Sequence, residues 1–134
     1  MRSAQYRVPF LTRMPEVSGL VTIALTWRTG DLSIRDLFEA EAPDIDDVEA
    51  LRIAIHNALV ADPRLLPAWQ TYCYDKRSSP SPYLDGHEVG FYDGGRHNVV
   101  VHDDPVDACA DFVRREVAWF CEGPEPRTSA EVLI

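Results

Sequence analysis

Lysine is almost missing from this chain. Of 134 residues only Lys76 is a lysine, against twelve arginines, and 22 acids bring the formal charge to -9. Phosphate contacts need a basic face, so nucleic-acid binding is not expected. Nor is there an apolar run of about 18 residues, which excludes a membrane-spanning helix. The opening MRSAQYRVPFLTRMPEV is interrupted by Pro9, Arg13 and Pro15 and lacks the unbroken apolar stretch of a signal peptide, so a cytoplasmic location is expected. Cys73, Cys109 and Cys121 form an odd set without CxxC or Cys/His spacing. That pattern speaks against a disulfide framework or structural zinc, and predicts buried free thiols. GxSxG, HExxH, P-loop and GxGxxG motifs are absent, so no catalytic residue and no cofactor is expected.

What the chain does have is an ordinary globular composition, 46% apolar and 10% aromatic. At this length one domain can bury roughly two thirds of its unfolded surface. A single α+β domain over residues 1–123 is expected, followed by a loose tail over 124–134. LVTIALTW at 20–27, rich in β-branched residues, reads as a buried strand, with YRVPFL before it as an edge strand limited by Pro9. Ile34, Leu37 and Phe38 have helical spacing after a Ser33 cap, and Pro43 ends that segment. Val48, Leu51, Ile55, Ala58 and Leu59 predict a helix over 44–61, whose start is crowded with Asp44, Asp46 and Asp47. Asp62-Pro63 opens another through Tyr74, with Leu65, Leu66, Trp69, Tyr72 and Cys73 inward. Gly94-Gly95 suits a two-residue hairpin turn pairing Phe91 with Asn98, Val89 with Val100 and His87 with His102. Asp104-Pro105 starts a last helix with the stripe Val106, Cys109, Ala110, Val113, Val117, Phe120 and Cys121, stopped by Gly123. Strand, helices, hairpin and helix in this order predict helices packed on one face of a small, mainly antiparallel sheet.

The negative charge is uneven. Between Asp31 and Asp62 nine acids face only Arg35 and Arg52. A solvated, solubilising face is one reading; the other is a surface that steers a basic protein partner, with Asp36, Glu39, Glu41, Asp44, Asp46, Asp47 and Glu49 as its residues. Tyr74 and Tyr83 are candidate aromatic anchors for such a contact. The hairpin register places His87 opposite His102, with Asp103 adjacent. This set could hold a metal and would support a small metal-dependent hydrolase as an alternative, although a catalytic zinc needs three ligands in good geometry. Lys76 and Arg77 fall where a helix ends and its dipole favours cations. Pro80 and Pro82 then impose an extended path into the sheet at Tyr83 and Leu84.

Trp69, then YDKRSSP at 74–80, Tyr83-Leu84, the strand VGFY at 89–92 and the helix DPVDACADFV at 104–113 together resemble immunity proteins of bacterial polymorphic toxin systems over roughly residues 62–120. The resemblance implies a small cytosolic protein that binds and neutralises a cognate toxin domain, with an acidic face suited to a cationic toxin. The preference for arginine over lysine fits a GC-rich bacterial coding bias. An adaptor whose end, Val132 to Ile134, docks on another chain is a further alternative.

Overall fold

The computed structural model of the protein describes residues 15–43, 47–76 and 79–123. Its elements in chain order are α1 (Ser18–Val21), α2 (Ile23–Thr26), α3 (Ile34–Glu41), α4 (Val48–Ala61), α5 (Leu65–Asp75), β1 (Ser81–Asp85), β2 (Glu88–Tyr92), β3 (Arg96–Val101) and α6 (Pro105–Glu122). The three strands form an antiparallel sheet in the order β1-β2-β3. Helix α6 packs on β1 and β2 and also meets α3, α4 and α5, so the expected α+β architecture is observed. The expected edge strand at 6–11, Asp44, Asp46, Arg77 and the tail at 124–134 with its apolar end lie outside the described residues.

Helix α6 starts as its sequence dictates. The Asp104 carboxylate accepts from the Val106 N–H at 2.7 Å, Pro105 holds the first turn, and Gly123 ends the helix at φ 90. Its middle differs from a one-sided stripe: every residue from Ala108 to Val113 is buried, as expected of a helix covered on all sides. The centre of the core is aromatic. Trp69 and Tyr72 meet edge-on at 5.0 Å, and both lie within 6.2 Å of Phe38 and Phe112.

Two elements depart from expectation. Residues 20–27 are not a strand but the two short helices α1 and α2. Leu20, Val21, Ile23 and Ala24 are all buried, a spacing that one helical face satisfies and a strand does not. The Trp69 indole donates to the Val21 carbonyl at 2.9 Å, while the Thr22 hydroxyl donates to the Ser18 and Gly19 carbonyls, so the break between the helices is hydrogen-bonded. Packing therefore overrides the β propensity of this segment. In the hairpin, Val89 pairs with Val100 as expected, and the His102 N–H reaches the His87 carbonyl. Phe91 faces His97 rather than Asn98 because Asn98, at φ 54, interrupts the ladder and lengthens the loop to Asp93–Gly95.

Smaller corrections concern burial. Val48 and Cys121 are exposed, Val48 in the first turn of α4 and Cys121 in the last turn of α6, where neighbouring elements no longer cover the helix. Cys109 is buried, with its thiol pushed up to about 12 by burial. The Cys73 thiol is likewise raised by burial and accepts from the Leu84 N–H at 3.1 Å.

Lys76, at the end of α5, has a role that the helix dipole does not explain. Lys76, whose side chain is only 4% exposed, places its ammonium 2.9 Å from both oxygens of the fully buried Glu116 and 2.8 Å from the Pro82 carbonyl. The Tyr72 hydroxyl donates to the same carboxylate at 2.6 Å. Burial pushes the Glu116 carboxyl above its usual range, against the pull of Lys76 and Tyr72. Removing one member of a buried ion pair costs about 3–5 kcal/mol, whereas replacing both by apolar groups is often near neutral. Lys76→Met should therefore lose about 3–5 kcal/mol of unfolding free energy by urea titration, and Lys76→Met with Glu116→Leu should lose less than that. A double variant as unstable as the sum of the two singles would show that the groups act independently.

Candidate partner-binding surface

Helix α3 is held by one face and shows the other. Its Ser33 hydroxyl accepts from the Asp36 N–H, Phe38 stacks on Phe120 at 5.1 Å, and the Arg35 guanidinium donates to the Phe120 carbonyl at 2.8 Å. Asp36, Glu39 and Glu41 are left exposed. Glu41 lies over Gly19, where a Cβ would overlap its carboxylate. Glu39 has Arg35 at 3.9 Å, and among the described residues no cation stands within ion-pair distance of Asp36.

The acids at the start of α4 have more local work. Asp47 caps the helix by accepting from the Glu49 and Ala50 N–H groups. Glu49 takes a two-pronged contact from Arg52, at 2.6 and 3.0 Å, and this hydrogen bonding holds its carboxyl below the usual range. Arg52 and His56 reach across to Asp107 of α6 at 3.8 and 3.2 Å. Of the acidic set, α3 thus carries the charge least answered by neighbours, and the first turn of α4 carries charge that also builds the helix.

The aromatic candidates separate. Tyr74 is 87% exposed on α5, with its ring in solvent rather than at the core edge. Tyr83 is half-buried on the sheet face away from Leu84, its hydroxyl hydrogen-bonded to Glu88 and its ring beneath the Arg96 guanidinium at 4.7 Å. Burial and the Glu88 contact raise its phenol. Directly across the strand pair is Gly90, where a Cβ would come within 2.7 Å of the Tyr83 ring. Between α2 and α5 an open groove is lined by Leu25, Trp27, Arg28, Arg64 and Pro67. Its two arginines are engaged by Asp75 and Asp62.

The histidines are neighbours in the backbone but their rings do different things. His87 Nδ1 lies 3.0 Å from the His102 carbonyl oxygen, while His102 Nε2 lies 2.9 Å from the Asp111 carboxylate. Asp103 is exposed, and among the described residues no group of three His, Cys, Asp or Glu side chains is placed to hold a metal ion. The partner that sequence reasoning missed is Asp111. It is buried with Arg115, which bonds it at 3.0 Å and donates to the Asn98 carbonyl, and Arg114 adds a contact at 2.9 Å. The signal was present as an Asp111–Arg115 pair at i,i+4 in the last helix.

No family model matches the chain, and comparison with curated proteins and with solved structures gives no match.

Burial pushes the Asp111 carboxyl up, but the hydrogen bond to His102 and the Arg115 and Arg114 guanidinium groups outweigh it and hold it below its usual value. A carboxyl depressed by folding contributes stability above its unfolded value, about 3.9, and that contribution disappears as the pH falls through the folded value. Asp111→Asn should thus destabilise the protein by about 2–3 kcal/mol at pH 7 and flatten the loss of stability below about pH 4. Urea midpoints measured across that range check both; an unchanged acid limb would assign the acid sensitivity to other carboxylates.

Proposed function

We propose that this chain is a non-enzymatic protein-binding protein, and more concretely an immunity protein that binds and neutralises a basic bacterial toxin domain. The observation that carries the reading is α3: three exposed acids, Asp36, Glu39 and Glu41, on a helix pinned to the core through Phe38, Phe120 and Arg35. Acids on a rigid element give a fixed field, which raises encounter rates with a basic partner and suppresses wrong ones. The likeness of residues 62–120 to immunity proteins points the same way, as does the net charge of -9. Asp47 and Glu49 extend the acidic surface from α4, and Tyr74 supplies an exposed aromatic of the type that anchors interfaces.

The test begins with affinity capture from a bacterial lysate at low and high salt, followed by association kinetics on the purified basic partner. Asp36→Lys with Glu39→Lys should slow association by about tenfold or more and weaken its salt dependence, with the circular dichroism spectrum unchanged. These positions suit the test because neither side chain caps a helix, unlike Asp47. Association that is indifferent to both substitutions sinks the reading.

A further inference from the structure

Among the described residues strand β3 ends the sheet, and its second half is Val99, Val100 and Val101, all exposed, Val101 to 69%. Edge strands are normally blunted by lysine, proline or inward charge, because an open row of backbone groups invites another strand. Here three consecutive valines occupy that row. The His102 N–H donating to the His87 carbonyl marks a hydrogen-bonded pair. By the alternation of an antiparallel ladder Val89–Val100 is then another, and Val101 turns its N–H and C=O away from β2, while Val99 sits at the register shift beside Asn98.

We propose that β3 is a self-association edge: two copies of this chain pair β3 with β3, antiparallel about a two-fold axis at Val100, joining two three-stranded sheets into one of six. The outward backbone groups of Val101 need a partner, and the axis at Val100 supplies one by setting Val99 of the second copy against Val101 and Val100 against itself. The same register brings the basic end of the strand, Arg96 and His97, to the exposed Asp104 and Asp103 of the other copy, twice by symmetry. A slip of two residues either way would set a valine against His97 or Asp103 and lose the match. Arg96 keeps its own contacts to Glu88 and Asp85, so each end of the new ladder extends an existing ion-pair cluster.

This inference does not rest on toxin binding, and salt separates the two. Chains of charge -9 repel, so self-pairing strengthens as salt screens them, whereas capture of a basic partner weakens. Sedimentation equilibrium of the full chain at sub-millimolar concentrations, in about 0.05 M and about 0.5 M salt, reads the mass, with amide exchange followed at Val99 and Val101. The expected result is a mass rising from 15.1 kDa toward twice that value, further at high salt, with both amides slowing as concentration rises. Val101→Pro removes an outward N–H and spares the ladder to β2; Val100→Lys sets like charges on the axis. Each should restore a folded monomer. A mass of 15.1 kDa at every concentration overturns the proposal. Amides protected in such a monomer would assign the edge to another segment of this chain, and a dimer that survives both substitutions would place self-association elsewhere.

Discussion

A buried carboxylate cannot be left without partners, and the way Glu116 finds its own organises this molecule. Its oxygens are reached by Tyr72 and Lys76, one turn apart on α5, and the same ammonium reaches the Pro82 carbonyl where β1 begins. Two consecutive elements, α5 and β1, are thus tied to one side chain of the central helix 40 residues further along the chain. An uncompensated charge in the interior costs several kcal/mol, so α5, α6 and the start of β1 have one arrangement in which all groups are satisfied. The aromatic core fills the space around this point, with the Phe112 ring 5.2 Å from the same ammonium.

A second polar group lies along the same helix. Asp111 gathers His102, Arg114 and Arg115, and Arg115 continues to Asn98, the residue whose left-handed backbone shifts the β3 register. The bulge in the hairpin and the buried charge of α6 are therefore parts of one network, and β3 is placed through it. Helix α6 supplies both polar clusters and one side of the apolar core, while the surfaces suited to partners sit at its periphery: α3 near its C-terminal end and β3 beyond the covered part of the sheet.

How far this was legible in the sequence follows from what kind of interaction decided each element. Where a local signal decides, at Ser33 and the Asp104-Pro105 start, the element appears as expected, because caps and proline act within a few residues; the helix expected from 44 starts at Val48, after its Asp47 cap. The strand expected at 20–27 became two helices because burial of Leu20, Val21, Ile23 and Ala24 against α3, α4 and α5 is a tertiary matter. Lys76 could be placed at a helix end, but its partner is 40 residues away and could not be read from local pattern. The exposure of Asp36 and Glu39 follows from helical spacing against Phe38, whereas the split between the His87 and His102 rings depends on Asp111, whose i,i+4 pairing with Arg115 was legible but whose contact with His102 was not.

The burial of Lys76 has a chemical corollary. It is the chain's single side-chain ε-amine, and folding holds it against Glu116 and closed to solvent. Acylating reagents and acyl-transfer enzymes that seek a lysine nucleophile need an accessible, neutral amine, and the native state withholds it. Modification at this position would report molecules that have opened, so the residue serves as a built-in counter of unfolding.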